Sequence, residues 1–270
     1  MSDSKSTPTA SSGAPWPARP PKTKAIVTTV LVIALLVASS IKTEATPLKL
    51  LIGIPEMWSL IVEMFPPDLS YLDVVWDPML QTIRMAVIGT TIGGLLAIPV
   101  AVFAARNVTR TPWLNVPARF ILNLVRTIPD LLFASVFVAV FGIGPVAGIL
   151  ALIFFSFGLV AKLTYESIES IDPGPLEAMT AVGASKIQWI HFGVVPQVTA
   201  SFMAYFLYTF EVNVRAAAVL GLVGAGGIGL YLERSLNQLR YDRASTIILL
   251  TLAVVLVIDY VSTKVRGKLL

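Results

Sequence analysis

The sequence predicts an all-α, polytopic integral membrane protein with six transmembrane helices. Of its 270 residues, 56% are hydrophobic and only 13% are charged, and the mean hydropathy is +0.80. Soluble domains carry about 45–50% apolar and about 25% charged residues. Stretches of about 20 apolar residues, each long enough to cross a bilayer, account for the excess. This composition excludes a soluble enzyme.

Net charge and the use of Cys and His exclude further classes of function and of binding site. The net charge is only +4, from 20 basic and 16 acidic residues, and no dense basic patch supports nucleic-acid binding. The chain has no Cys, so disulfides, Cys-ligated zinc and iron–sulfur clusters are ruled out. His191 is the single His, which rules out a multi-His site, and we expect no bound metal.

The first part of the chain holds one span. Residues 1–21 are rich in Ser, Thr, Pro and Ala, and they are predicted to form a disordered cytoplasmic tail. Residues 25–41 carry no charge and form the first span. Residues 48–65 are apolar but interrupted by Pro55 and two Glu residues. They are predicted as a short helix on the outer surface, with a re-entrant or seventh span as the alternative.

The remaining spans follow from long apolar stretches. Residues 85–105 carry no charge, and neither do residues 131–161; as a helix the second run would measure about 46 Å, too long for one span. Gly142-Ile-Gly144-Pro145 divides it. Span five holds Glu211 and Arg215, and span six holds Asp259. The six predicted spans are 25–41, 85–105, 116–141, 145–163, 198–219 and 244–261.

Lys and Arg in short flanking segments predict the orientation. Basic residues dominate both chain ends and the loop after the second span, whereas residues 42–77 are mainly acidic. Both ends are therefore predicted to be cytoplasmic, which agrees with an even number of spans. Residues 220–243 then lie outside despite three Arg residues.

The segment between spans four and five, residues 164–196, is too long and too apolar for a simple connection. Asp172-Pro173-Gly174-Pro175 forms a turn and a helix start. Gly183 is predicted to break the following amphipathic pattern into two short helices, and Pro196 to end it before span five. Periodicity alone leaves open an interfacial helix pair without a partner.

The order of residues in this segment resembles the EAA loop of ABC-importer permeases. Glu177-Ala178-Met179 is followed by Gly183-Ala184 and then by Val195-Pro196, with Met in place of the second Ala. The resemblance implies a type I ABC importer permease fold, and it makes residues 164–196 a cytoplasmic coupling loop that docks on a separate ATPase. The implied coupling residues are Glu177, Ala178, Gly183, Ala184 and Pro196.

Other strings are similar to the phosphonate-transport permeases. They are 126–131 (RTIPDL), 211–215 (EVNVR), 221–229 (GLVGAGGIG) and 64–70 (MFPPDLS). The resemblance covers about residues 60–265. The chain as a whole is predicted to have three parts: the tail at 1–21, residues 22–78 with the first transmembrane helix and the outer segment, and an ABC-importer transmembrane domain at 79–265. The implied partners are a second copy, two ABC subunits that bind ATP and Mg, and an extracytoplasmic solute-binding protein.

Charges inside spans are costly and usually face a cavity or a partner. Arg126 and Asp130 are four residues apart, as are Glu211 and Arg215, so each pair is predicted to share a helix face. The functional interpretation is a translocation path that offers Arg to an anion, lined by Arg126, Asp130, Glu211, Asn213 and Arg215. The structural alternative is mutual neutralisation between spans three and five.

A glycine-rich string follows span five. Residues 224–229 match the dinucleotide pattern G-x-G-x-x-G, but no strand precedes them, so the motif lacks its required context. Small residues let helices approach closely, and the resemblance implies an outer gate. The gate residues are Gly224, Gly226, Gly227 and Gly229, and a flexible turn is the alternative.

The sequence therefore predicts a non-catalytic permease subunit for phosphonate, phosphate or phosphite that works by alternating access. No Walker sequence and no nucleophile–base set is present, so ATP hydrolysis is assigned to a partner and no cofactor to this chain. The alternative is an ion-coupled secondary transporter of a small anion.

Overall fold

A computed structural model describes residues 22–43 and 47–269. The prediction for residues 1–21 lies outside this part of the chain. Most of the described residues are helical, and none of them forms a strand. The helices are α1 (Lys22–Thr43), α2 (Pro47–Glu63), α3 (Leu72–Ala104), α4 (Pro112–Thr127), α5 (Asp130–Phe141), α6 (Pro145–Glu169), α7 (Gly174–Ala181), α8 (Lys186–Gln188), α9 (Val195–Leu220), α10 (Ile228–Asn237) and α11 (Tyr241–Leu269).

The chain divides into two compact units, one up to Ser59 and one from Leu60. In the first unit, α1 is apolar and long enough to cross a membrane. Its large apolar side chains are exposed, as expected of a helix surrounded by lipid. The following helix, α2, confirms the helix predicted near 48–65. Its location on the outer surface of the membrane stays a prediction.

Five described helices are long and apolar enough to span, or six if the bent pair α4–α5 counts as one span. The prediction of one continuous third span over 116–141 is wrong. The chain bends by 85° between α4 and α5, because Ile128 and Pro129 both adopt extended backbone conformations. A residue before Pro is disfavoured in the helical region, and Pro129 cannot donate a helical hydrogen bond.

The second unit is organised around α3, α6 and α9. At Gly93 of α3, an added Cβ would lie 2.6 Å from the carbonyl oxygen of Ile153 in α6, so the two backbones are in direct contact. Without a hydrophobic driving force between helices in lipid, such close packing is the main source of association. Clusters of buried apolar residues then fill the space where these helices meet α4, α7, α10 and α11.

Asn213 joins the same three helices through polar contacts. Its side chain is fully buried, and its amide donates to Thr90 Oγ1 at 2.7 Å and to Ser156 Oγ at 2.6 Å. The prediction put Asn213 on the translocation path. The structure places it inside the three-helix contact, where a buried amide needs these partners.

The starts of α3 and α11 are tied together by Asp68. Its amide donates to the Asp242 carbonyl at 3.2 Å, and its own carbonyl accepts from Thr246 Oγ1 at 2.9 Å. A hydrogen bond from Ser70 is the main cause that lowers the pKa of the Asp68 carboxyl, and Arg243 lies 3.6 Å from it. These contacts give the MFPPDLS string a structural role at this end of the bundle.

Candidate functional site

The coupling segment (164–196) starts within α6, which continues to Glu169. Asp172 then shapes the turn into α7, since its Oδ1 accepts from the Gly174 amide at 2.9 Å. The Gln197 side chain accepts from the Asp172 amide at 3.1 Å, which closes the segment onto the start of α9. Glu177 and Ala178 are exposed on α7, so both are free to meet a partner.

Gly183 forms the turn between the two short helices, which confirms the predicted break. Its φ is +72°, and the Ala184 amide donates to the Met179 carbonyl at 3.0 Å. A left-handed φ is far less costly for Gly than for residues with a Cβ. Ser185 then caps α8 in a reciprocal capping box with Gln188, so local hydrogen bonds fix the direction of the chain beyond the turn.

Pro196 does not end the segment, so that prediction is wrong. It lies in the first turn of α9, where its missing N–H is not needed. The chain runs from α8 through a π-helical turn, Trp189–Val194, directly into α9. A displacement of the α7–α8 turn would therefore be transmitted along a nearly continuous helix.

Trp189 and Gly193 hold α7 against this π-helical turn. The Trp189 indole N–H donates to the Leu176 carbonyl at 3.0 Å. An added Cβ at Gly193 would lie 2.8 Å from the Leu176 side chain. The two arms of the coupling segment are thus packed as one unit.

Lys186 links this unit to the loop after α3. Its ammonium donates to the Val108 carbonyl at 2.6 Å and lies 4.1 Å from the centre of the Trp189 ring. The same loop is bound to the end of α6, because the side-chain amide of Asn107 donates to the Ile168 carbonyl at 2.5 Å. Sequence reasoning missed this connection, since the partners are remote in the chain.

We expect Lys186→Met to lower the melting temperature of the purified chain in detergent. One hydrogen bond and one cation–π contact are lost, which together correspond to about 1–2 kcal/mol. Lys268→Met at the exposed end of α11 is the matched control and should leave the melting temperature unchanged. Equal melting temperatures for the two variants would contradict the linking role.

A cleft of about 530 Å³ lies beside the segment and is bordered by Arg110, Glu177 and Thr180. Next to it, large apolar side chains point away from the protein. Val182 is 76% exposed and Ile187 is 81% exposed. Exposed apolar groups rimmed by charged and polar residues are typical of a protein–protein contact surface.

The Glu211–Arg215 pair on α9 forms as the spacing predicts, at 2.8 Å. A third member, Arg266 of α11, binds the other carboxylate oxygen of Glu211 at 3.0 Å. Glu211 is buried, with 7% of its side chain exposed. We call these three residues the charged triad; Arg266 was missed because its sequence position suggested only a cytoplasmic tail charge.

Arg126 and Asp130 do not share a helix face, so that prediction is wrong. Arg126 lies in the last turn of α4, whereas Asp130 opens α5 beyond the 85° bend. Asp130 Oδ1 accepts from the Leu131 amide at 2.9 Å. Within residues 22–43 and 47–269, Arg126 makes no ion pair, and it is exposed.

Three of the four predicted gate glycines lie in a tightly held connection between α9 and α10, and the fourth, Gly229, lies in the first turn of α10. Three of them, Gly224, Gly226 and Gly227, have positive φ values. The Gly224 carbonyl accepts from the Gly144 amide at 3.0 Å, and the Gly227 amide donates to Gln81 Oε1 at 3.1 Å. At Gly229, an added Cβ would lie 1.9 Å from the Ala218 carbonyl oxygen. The packing argues against a flexible turn.

Comparison with known protein families identifies the family to which this chain belongs. The family model for "Binding-protein-dependent transport system inner membrane component" matches residues 97–267, which includes the coupling segment, the charged triad and the gate glycines. The chain belongs to this family. It is therefore a multi-pass component of the inner membrane and a transport subunit.

Two relatives of this inner-membrane component illustrate the similarity. This chain is 40% identical over 217 residues to the phosphite transport system permease protein PtxC of Stutzerimonas stutzeri. The matched region covers 80% of this chain and 79% of PtxC. The chain is 38% identical over 234 residues to the phosphate-import permease protein PhnE of Mycolicibacterium smegmatis, covering 86% of this chain but 44% of that protein.

The fold of this inner-membrane component matches solved ABC transporters. An inward-facing structure of the MetNI methionine ABC transporter superposes with a TM-score of 0.66 at 20% identity, covering 75% of this chain and 99% of that chain. An amino acid ABC transporter gives a TM-score of 0.63 at 17% identity, covering 74% and 95%. These matches confirm the predicted importer-permease fold.

Proposed function

We propose that this chain is the permease subunit of an ATP-driven importer for phosphonate or a related oxyanion such as phosphate or phosphite. The identity with PtxC, 40% over most of both chains, is the observation that carries the oxyanion class. The charged triad supports it, because two guanidinium groups bind one buried carboxylate and leave an excess positive charge beside it.

The proposed partner at the coupling segment is an ABC subunit that binds ATP and Mg and hydrolyses the nucleotide. Val182 and Ile187 would enter a groove of that subunit, and the cleft beside Glu177 would receive a basic or hydrogen-bonding side chain. This proposal places residues 164–196 and both chain ends on the cytoplasmic side. Glu177, Ala178, Gly183 and Ala184 then form the docked turn, and Pro196 lies beyond it in the first turn of α9.

The working assembly would contain two copies of this chain, two ABC subunits and an extracytoplasmic solute-binding protein. Closure of the ATP-bound subunits would draw the two coupling segments together. Because α8 continues into α9, this movement would tilt α9 and open the path outward. Hydrolysis would return it inward. The glycines at 224–229 lie at the opposite end of α9, where an outer gate would be needed.

Reconstitution tests this function. The tagged chain is co-expressed with its ABC and solute-binding partners, purified and placed in liposomes. We expect ATP-dependent uptake of at least one of radiolabelled phosphate, phosphite or methylphosphonate, and none with a non-hydrolysable ATP analogue. Uptake driven by an ion gradient alone, by a chain that retains no ABC subunit, would instead support the secondary-transporter alternative, which family membership disfavours.

A further inference from the structure

The two Arg residues of the charged triad are not equivalent. Glu211 uses both of its oxygens, with Oε1 bound to Arg215 and Oε2 bound to Arg266. The carboxylate is therefore neutralised twice. A buried carboxylate must keep at least one such partner, since an unpaired charge away from water is strongly unfavourable. Either Arg alone would meet that need.

The two Arg residues differ in accessibility. The Arg215 side chain is 49% exposed, whereas that of Arg266 is 25% exposed. Arg266 has an additional contact, because it also donates to Thr263 Oγ1 at 3.1 Å. Arg215 is bound through Glu211 alone among the described side chains. Of the two cations, Arg215 is the one that can leave the carboxylate at little cost.

Arg215 also borders a groove of about 340 Å³ between α9, α10 and α11. The rest of the lining is apolar apart from Thr251, whose hydroxyl already donates to the Ile247 carbonyl. Exposure of a guanidinium to lipid is unfavourable, and charged side chains in spanning helices almost always face a water-filled path or a partner. Its planar fork offers two parallel N–H groups, which suit a tetrahedral oxyanion.

Resting on the proposed function, we propose that Arg215 is the oxyanion contact of the translocation path and that Arg266 is the positioning residue that makes it available. When an oxyanion reaches the groove, Arg215 turns from Glu211 to the anion while Arg266 keeps Glu211 paired. When the anion moves on, Arg215 returns to Glu211. This exchange keeps binding transient, as a transport path requires.

The test uses the complete complex in proteoliposomes and measures ATP-driven oxyanion uptake. We expect Arg215→Gln to reduce uptake about tenfold or more, because the charged hydrogen bonds to the anion are lost. Arg266→Gln should reduce it comparably, because Arg215 must then stay on Glu211. Lys268→Gln, two residues along α11, is the matched control.

Two double variants separate this role from a structural one. Glu211→Gln with Arg266→Gln should recover most of the uptake, because Arg215 is released. Glu211→Gln with Arg215→Gln buries no unpaired carboxylate but should remain inactive, because the anion contact is missing. Recovery in this second double variant would assign Arg215 a purely structural role and overturn the proposal. Failure of the first double variant to recover would overturn the role of Arg266.

The design also separates this inference from the proposed function. If the wild-type complex imports none of the three oxyanions with ATP, the proposed function fails. If the wild type imports one of them and the Arg215 variants match it, the function stands and this inference is wrong. Co-purification of the ABC subunit with each variant, measured by size-exclusion chromatography, shows that the compared complexes are assembled.

Discussion

Replacing Ile187 with Asp is expected to detach the chain from the proposed ABC subunit. Ile187 is 81% exposed beside the Gly183 turn, where a partner groove would bury it. Placing a carboxylate in a desolvated apolar contact costs far more than leaving it in water. Central apolar anchors carry most of the energy of such surfaces, so we expect co-purified ABC subunit and uptake to fall about tenfold or more.

Leu239→Asp is the matched control for this experiment. Leu239 is 69% exposed and lies in the connection between α10 and α11, at the far end of α9 from the coupling segment. Its φ is +56°, a conformation that Asp tolerates well. The control should retain the ABC subunit. If Ile187→Asp also retains it in wild-type amounts, the ABC subunit docks elsewhere.

The spans were predictable because the physical requirement is simple. A bilayer core demands a long and predominantly apolar helix, and α6, α9 and α11 lie where the apolar stretches predict them. The broken α4–α5 connection carried a readable signal, since Ile128 precedes Pro129 in the middle of the predicted span. The mean hydropathy of residues 116–141 outweighed that signal, although Arg119, Arg126 and Asp130 lie within the same stretch.

The candidate site was only partly predictable. The Glu211–Arg215 pair follows from helical spacing alone. Arg266 contacts Glu211 across 55 residues of chain, and no local pattern encodes that contact. The position of Asn213 depends on which face of α9 meets α3 and α6, and near-uniform apolarity around a spanning helix removes the periodic signal that would show it.

The string at 221–229 was recognisable as a place for close backbone approach, but the sequence does not say which Gly carries the contact. Gly229 is the closest of the four predicted gate glycines to foreign backbone. An added Cβ would lie 1.9 Å from the Ala218 carbonyl oxygen and 2.9 Å from Gly221 Cα. Both atoms belong to the end of α9 and the turn after it, where no flexible side chain can move aside.

Gly229→Ala is therefore expected to push α10 away from α9 and to lower the free energy of unfolding by about 1–3 kcal/mol or more. The measurement is the melting temperature in detergent, together with uptake by the reconstituted complex. Gly267→Ala in α11 is the matched control, since nothing lies within 4 Å of its added Cβ. Because Ala favours a helix over Gly, that control should gain about 0.5–1 kcal/mol.

The two readouts together distinguish packing from gating. If Gly229→Ala lowers both the melting temperature and uptake, the α9–α10 contact holds the fold together and its transport role is indirect. If uptake is lost while the melting temperature matches the wild type, the contact must open without unfolding, as a gate does. A variant that melts and transports like the wild type would contradict the close approach itself, because a methyl group cannot occupy the same space as the Ala218 carbonyl.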